Sequence, residues 1–209
     1  MQETRLLLIR HAETSAPQVF HGAESDIGLS DRGRDQARRL GEHLKGQDLR
    51  AVYGSAMARA VATATPVAAA CRLDPIVIPE LHERKIGPLS GLAREEGWEV
   101  YAETKARWIA GDLDATHEGG ESFAAIATRV VPIIERIRDR HQGEAVAVIA
   151  HGIVIRVLLL SLLHDRSPAD FDSIAIDFAS INDLRWDGNH WTARRLNEVV
   201  APSPDRPVA

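Results

Sequence analysis

The sequence predicts an α/β sandwich of three layers, in which a mostly parallel central sheet carries helices on both faces. Short, continuous apolar segments are typical of strands that are buried on both faces. Helical segments of roughly 10 to 20 residues lie between them, and this alternation favours a parallel sheet. Ligands of such sheets bind beyond the carboxyl ends of the strands, and two predicted strands end at His11 and His151.

The first part of the chain supplies three predicted strands and two predicted helices. An apolar run over 5–9 is bounded by charge and predicts a buried strand that ends at Arg10. Ser30 has the chemistry of a helix N-cap, and the helix after it ends near Gly46. The other predictions are a strand over 49–53, a helix that begins at Ser55 and is interrupted or kinked near Pro66, and a strand over 76–78.

The second part begins with residues 84–120, which are rich in Gly, Trp and charge. We interpret this stretch as an insertion or lid-like region over the site, with a helix over 95–108. A clearer apolar stripe predicts a helix that begins at Ser122 and ends near Gly143. The remaining predictions are a strand over 145–150, a helix over 152–163 that is buried nearly all round, and strands within 173–197 whose hairpin turn is 187–190.

Length and composition are those of an ordinary globular protein. The chain has 209 residues, of which 44% are hydrophobic and 26% charged. We expect one domain over 1–200, followed by a disordered Pro-rich tail over 201–209. A net charge of −5 gives no general attraction to nucleic acid or to an anionic membrane, so an anion site must be a local concentration of Arg and His.

The single cysteine and the N-terminal segment indicate the cellular compartment in which we expect the protein. Cys71 lies in an Ala-rich stretch, so we expect a buried apolar filler rather than a nucleophile. The segment 1–5 lacks the features of a signal peptide, and the longest apolar run, 153–163, contains Arg156 and is too short to span a bilayer. The expected location is cytoplasmic.

Basic residues are predicted at the sheet edge where ligands bind. Arg10 and His11 end the first strand, and His151 ends the fourth, followed by Gly152, which permits close approach of the backbone and an unusual dihedral angle. Arg59 lies in the first turns of a helix, whose N-terminus attracts anions. Taken alone, each of these residues has a common structural explanation. Arg10 and His11 would form a solvated pair, His151 would be a capping histidine, and Arg59 would be a surface arginine.

Together, these two arginines and two histidines predict a pocket for a dianionic phosphoryl group, because guanidinium groups match phosphate oxygens in bidentate fashion. Glu83 follows the third strand and is either a solvated acid or a general acid above the phosphate. No acidic cluster near these residues could hold magnesium, and the nine histidines lack zinc-ligand spacing, so we expect neither a metal nor a cofactor.

The heptapeptide LIRHAET at 8–14 resembles the signature of the histidine phosphatase superfamily, also called the phosphoglycerate mutase-like family. The resemblance runs from Leu6 to Asn197 and implies a phosphoglycerate mutase-like fold. Further segments resemble later motifs of that family, in the same order: 28–37, 55–64, 81–91, 120–122 and 150–152.

The resemblance implies a role for each central residue. His11 is expected to attack phosphorus and form a phosphohistidine, with its other ring nitrogen held by a backbone carbonyl. Arg10, Arg59 and His151 are expected to bind the phosphoryl oxygens. Glu83 is expected to protonate the departing alcohol and then to activate water.

The loop after the nucleophile departs from the family pattern. Many members carry an Asn there as a further phosphate ligand, whereas 15–22 contains none, and Gln18 or His21 is the candidate substitute. Besides the central residues, the expected substrate-binding residues are Thr14, His21, Gly22 and Gly152.

Three functions remain open at this point. A metal-independent phosphomonoesterase, with a small phosphorylated substrate and inorganic phosphate as product, is favoured because the chain is short and the loop after His11 is trimmed. The alternatives are a cofactor-dependent phosphoglycerate mutase and an inactive member that only binds a phosphorylated ligand. Arg84 and Gly87 resemble the mutase acid loop, and the retained central residues argue against the inactive reading.

Overall fold

A computed structural model describes residues 3–200 and contains one six-stranded sheet, with the strand order β3-β2-β4-β1-β5-β6. The strands are β1 (Thr4–Arg10), β2 (Leu49–Ser55), β3 (Pro75–Ile78), β4 (Ala145–Ala150), β5 (Ser180–Trp186) and β6 (Trp191–Val199). The α-helices are α1 (Asp31–Leu44), α2 (Ala58–Ala70), α3 (Arg94–Ile109), α4 (Phe123–Arg140) and α5 (Gly152–Leu162). Short 3₁₀ turns cover Pro79–Leu81, Gly87–Leu89 and Pro168–Ser173.

The sheet is mixed but mostly parallel, as predicted. Strands β3, β2, β4 and β1 pair in parallel. Strand β5 runs antiparallel to β1, and β6 antiparallel to β5, so only β5 opposes the common direction. The carboxyl ends of β1 and β4 therefore lie at one edge of the sheet.

Strand β1 shows why the sheet needs helices on both faces. Leu6 and Leu8 belong to a buried cluster that includes the apolar sides of α4 and α5. Leu7 and Ile9 point the other way, into a cluster with α1 and α2. A strand with no solvent-facing side reads as a continuous apolar run, so the predicted three-layer arrangement is confirmed.

Several local predictions are also confirmed. The side chains of Ser30 and Ser122 cap α1 and α4 by accepting hydrogen bonds from backbone N–H groups three residues later. Strands β5 and β6 form the predicted hairpin, and the carboxylate of Asp187 accepts two backbone N–H groups in its turn. The Pro-rich segment 201–209 lies outside the described residues.

Other predictions were wrong. Ser55 remains in β2, where it pairs with Ile78, so α2 begins at Ala58, and Pro66 does not interrupt the helix. Residues 173–179 are not a strand, because a 3₁₀ turn and an irregular segment precede β5. Cys71 is half-buried rather than buried, since it lies at the end of α2.

Helix α5 is apolar on most of its surface, yet Ile153 and Arg156 remain partly exposed on one side. Within residues 3–200, none of the helices combines the length and the apolar character that crossing a membrane requires.

The start of α1 lies against the backbone just after the first strand, and this contact depends on Gly33. A Cβ atom built on Gly33 would lie 2.0 Å from the carbonyl oxygen of Glu13. Because that oxygen belongs to the backbone, it cannot move aside. The absence of a side chain at Gly33 therefore keeps α1 close to the segment that follows His11.

We predict that Gly33→Ala lowers the free energy of unfolding by about 1–3 kcal/mol through overpacking, although alanine favours a helix by ~1 kcal/mol. Gly28→Ala is the matched control, because a Cβ at Gly28 would meet no atom within 4 Å. Urea denaturation of both variants checks this prediction. Equal stability of the two variants would contradict it.

Candidate active site

His11 and His151 meet because β1 and β4 pair in parallel and in register. Arg10 lies opposite Ala150 in the ladder, and the backbone N–H of His11 donates to the carbonyl of Ala150 at 2.9 Å. The next residue of each strand is a histidine, and the two ring centroids are 5.1 Å apart. Both side chains are buried, so the strand ends form one site rather than two.

The tautomer of His11 follows from one hydrogen bond. Its Nδ1 atom lies 2.8 Å from the carbonyl oxygen of Ala12. A carbonyl can only accept, so Nδ1 carries the proton and Nε2 keeps a lone pair. Burial lowers the pKa of His11 well below its usual value, and the charges of Arg10 and Arg59 lower it further. The ring is therefore neutral at neutral pH.

Arg10 is fixed against the segment that precedes β5. Its Nη1 donates to the carbonyl of Ile176 at 2.7 Å, and its guanidinium carbon lies 3.9 Å from the centre of the Phe178 ring. Burial lowers its pKa to about 10, so it remains charged at neutral pH. A Cβ on Gly152 would lie 3.4 Å from Nε of Arg10. Gly152 is helical, so it provides space rather than the predicted unusual dihedral angle.

Arg59 is held by the loop that precedes α1. Its guanidinium donates to the carbonyl oxygens of Ser25 and Gly22, at 2.7 and 3.2 Å. Its side chain is 1% exposed and does not line the main cavity, although its charge lowers the pKa of His11 and His151. The prediction that the N-terminus of α2 presents free backbone N–H groups is wrong for Ala58, whose N–H donates to the carboxylate of Asp26.

His151 is fully buried, and neither of its ring nitrogens has a hydrogen-bond partner among residues 3–200. Burial lowers its pKa well below the usual value, and the neighbouring His11 contributes in the same direction. Buried polar atoms without partners are uncommon in folded proteins. An anionic or hydroxylic group placed beside His11 would supply the missing partner.

Glu83 lines the same cavity, and two backbone N–H groups hold its carboxylate. Oε1 accepts from Arg84 at 2.8 Å, and Oε2 accepts from Ile153, in the first turn of α5, at 3.4 Å. The side chain is buried but lines the same cavity as His11. A carboxyl group in this position can exchange a proton with a group bound to His11.

The cavity has a volume of about 320 Å³. Of the predicted site residues, its walls contain Arg10, His11, Thr14, His21, Glu83 and Gly152. The hydroxyl of Thr14 is buried without a partner in the described chain, so it is available to a ligand.

Two predicted substrate-binding residues have other roles in the loop. The ring nitrogens of His21 contact the carbonyl of Ala16 and the hydroxyl of Ser25, both at 2.8 Å, so they stabilise the loop. Gly22 does not line the cavity, and its carbonyl accepts from Arg59 instead.

The sequence analysis did not identify several residues that line the part of the cavity away from the paired histidines, which we call the outer wall. Arg156 lies one helical turn after Gly152, and both line the cavity. A lone charge in an otherwise apolar helix was the signal that could have identified it. Phe178 and Ile176 also line the cavity from the irregular segment before β5, where no periodicity points to them. The stretch 84–120, which the sequence analysis interpreted as a lid-like region over the site, contributes further wall residues: Arg84, Ile86, Arg94, Trp98, Tyr101 and Lys105.

Cys71 lies away from this cavity, at the end of α2, where its Sγ contacts the carbonyl of Leu44 at 3.6 Å. Burial raises the pKa of its thiol, which favours the unreactive protonated form. Within residues 3–200, no group of three or more His, Cys, Asp or Glu side chains is arranged to hold a metal ion.

Comparison with known proteins places this geometry in a family. Two curated relatives are the metal-independent phosphoserine phosphatase of Arabidopsis thaliana, 33% identical over 90% of this chain and 81% of the relative, and phosphoserine phosphatase 1 of Hydrogenobacter thermophilus, 34% identical over 92% of each. The solved structure of Bacillus stearothermophilus YhfR has a TM-score of 0.80 and 30% identity, covering 91% of this chain and 95% of that one.

The family model of the histidine phosphatase superfamily, branch 1, matches residues 6–199. This match includes both strands whose ends carry the paired histidines, together with Arg59 and Glu83. The chain therefore belongs to the histidine phosphatase superfamily.

Proposed function

We propose that the protein is a metal-independent phosphomonoesterase that hydrolyses a small phosphorylated metabolite through a phosphohistidine at His11. The observation that carries the proposal is the tautomer of His11, a neutral imidazole with its Nε2 lone pair beside His151. The relatives from Arabidopsis and Hydrogenobacter, whose names identify phosphoserine phosphatases, support the same reaction class.

In the first half-reaction, the Nε2 lone pair of His11 attacks phosphorus and the bond from phosphorus to the ester oxygen breaks. The electrons of that bond go to the leaving oxygen, which takes a proton from the carboxyl group of Glu83. Arg10 and Arg59 supply the guanidinium groups that balance the charge of the phosphoryl oxygens, and Arg10, with a pKa of about 10, remains protonated at neutral pH. His151 is close enough to His11 to contact the same group.

In the second half-reaction, water attacks the phosphohistidine and gives one proton to the Glu83 carboxylate. The phosphorus–nitrogen bond breaks, its electrons return to Nε2, and inorganic phosphate leaves. Because Nδ1 keeps its proton and its bond to Ala12 throughout, His11 returns to its starting tautomer. Dividing the hydrolysis in this way replaces one difficult step with two easier ones.

We predict that acid-labile, base-stable phosphate appears on the wild-type protein when a labelled monoester is mixed with it and quenched within one turnover. His11→Ala should carry no label, because it lacks the attacking nitrogen. His43→Ala is the control, since His43 is exposed on α1. Label that persists in His11→Ala, or label on Cys71, would contradict the proposal.

We also predict that hydrolysis of p-nitrophenyl phosphate is unchanged in excess EDTA, because arginines rather than a metal balance the phosphoryl charge. A loss of more than half of the activity would contradict metal independence.

With 3-phosphoglycerate and 2,3-bisphosphoglycerate, free phosphate should accumulate. Accumulation of 2-phosphoglycerate instead would favour the mutase.

The neutral histidines also predict how stability depends on pH. Burial lowers the pKa of His11 and His151 in the folded protein, whereas in the unfolded chain they titrate near the ordinary value of ~6.5. The unfolded state therefore binds more protons below that pH. Their contribution to stability is fully present above pH ~6.5 and is lost as pH falls toward the lowered values, by up to ~1.4 kcal/mol per pH unit for each histidine.

We accordingly predict that the melting temperature falls between pH 7.5 and 5.5, and that His151→Gln reduces the slope. Thermal unfolding across this range checks the prediction, with exposed His43→Gln as the matched control. If the melting temperature of His151→Gln depends on pH as steeply as that of the wild type, the ring of His151 takes up protons equally in the folded and unfolded states, and the prediction is wrong.

A further inference from the structure

The backbone that carries Glu83 has no regular structure, so side chains must hold it in place. Residues 82–85 belong to neither a helix nor a strand. The backbone N–H groups of Lys85, Ile86 and Gly87, which follow Glu83, donate to side-chain carboxylates. A general acid on such a segment is only as well positioned as the side chains that hold the segment.

Arg129 of α4 contacts this segment on the amino-terminal side of Glu83. Its Nη1 donates to the carbonyl oxygens of Glu80 and His82, at 2.6 and 3.0 Å. Its Nε and Nη2 donate to the two carboxylate oxygens of Glu121, at 3.0 and 2.9 Å. All three nitrogens of the guanidinium group therefore donate at the same time, which its planar fork permits and the compact ammonium group of a lysine does not.

Glu121 extends the contact to the carboxyl-terminal side of Glu83. Its Oε2 accepts the N–H of Lys85 at 2.8 Å, and its own N–H donates to the carbonyl of Lys85 at 2.9 Å. Its carbonyl accepts from Nε of Arg84 at 2.9 Å. The segment 120–122 resembles a family motif, yet the proposed phosphoryl transfer gives it no role. These contacts give it one, since Glu121 holds the backbone that follows Glu83.

Arg129 and Glu121 lie behind the site rather than in it. Neither is among the residues that line the cavity, so a bound substrate does not contact them. Their side chains are nonetheless largely buried, at 15% and 14% exposed, and the bidentate pair is therefore better ordered than a solvated surface pair. Because the N–H of Arg84 donates to Oε1 of Glu83, a shift of this backbone would also move the carboxyl group.

We propose that Arg129 and Glu121 form a clamp that positions Glu83 for proton transfer to the leaving oxygen and from water. This inference rests on the proposed function, because it assigns positioning residues to the acid of the same reaction. The clamp acts through geometry, since its two members lie outside the cavity. A misplacement of about 1 Å can lower a rate by ~100-fold, so a looser clamp should slow each step that needs Glu83.

Leaving groups of different basicity test the clamp. O-Phosphoserine and benzyl phosphate release alkoxides that need a proton from Glu83, whereas p-nitrophenyl phosphate releases a phenolate that is stable without one. We expect Arg129→Lys to lower kcat/KM for the alkyl esters by about 10- to 100-fold and that for p-nitrophenyl phosphate by less than ~3-fold. Both values are measured on one protein sample, so a loss of folded protein cancels from their ratio. An unchanged ratio would overturn the proposal.

The second half-reaction gives an independent readout. The value of kcat/KM ends with formation of the phosphohistidine, whereas kcat also contains its hydrolysis, in which Glu83 accepts a proton from water. Arg129→Lys should therefore lower kcat for p-nitrophenyl phosphate and leave a burst of p-nitrophenol of about one equivalent per site. A rise in KM at unchanged kcat would assign Arg129 to binding or folding and would overturn the clamp.

Further variants assign the effect to the pair and to the acid. Glu121→Gln keeps an oxygen that can accept from Lys85 but removes the charge that pairs with Arg129, so it should shift the ratio in the same direction by a smaller factor. In a Glu83→Gln background, Arg129→Lys should cause no further shift, because the acid through which it acts is gone. Arg136→Lys is the matched control, since Arg136 is exposed two helical turns later on α4. An equal shift with and without Glu83 would overturn the proposal.

Amide hydrogen exchange separates failure of the clamp from failure of the proposed function. In Arg129→Lys, exchange over residues 82–87 should be about 10-fold faster than in the wild type, while exchange in β1 stays unchanged. If exchange rises but the wild-type protein hydrolyses no monoester, the clamp stands and the phosphatase is wrong. If the wild type hydrolyses alkyl and aryl esters and Arg129→Lys changes neither exchange nor the ratio, the clamp is wrong and the phosphatase stands. Wild-type hydrolysis of p-nitrophenyl phosphate but of neither alkyl ester would show that Glu83 supplies no proton, which also overturns the clamp.

Discussion

The parallel pairing of β1 with β4 is the constraint on which the rest of the site depends. It brings His11 and His151, which are far apart in the chain, to adjacent positions with ring centroids 5.1 Å apart. Both strands are buried on both faces, because helices pack on each side of the sheet in the three-layer arrangement. The hydrophobic core and the chemistry therefore share one cause, and a shift of register would separate the two rings.

Burial then determines what these histidines can do. An imidazole removed from water and placed near Arg10 and Arg59 loses its proton easily, so His11 has a lone pair at neutral pH. The carbonyl of Ala12 fixes which nitrogen keeps that lone pair. In the proposed reaction, the same arginines that suppress protonation also balance the charge of the phosphoryl group. In the proposed reaction, one electrostatic arrangement thus serves both the nucleophile and its substrate.

The outer part of the cavity wall is formed largely by other elements. Helix α3 contributes Tyr101 and helix α5 contributes Arg156. The carbonyl of Ile174 orients Arg156, and ring packing holds Tyr101. Rigid wall residues can distinguish substrates by what lies beyond the phosphate, while the phosphoryl site stays the same.

The sequence by itself determined the layer architecture, the helix caps and the histidines at strand ends, because apolar periodicity and strand-to-helix turns are local patterns that tertiary contacts reinforce. Only the tertiary structure decided how the polar groups pair. Asp26 caps α2, the ring nitrogens of His21 stabilise their own loop, and Arg156 converges with Tyr101 on the cavity. Such contacts join segments far apart in the chain, and no local period encodes which donor meets which acceptor.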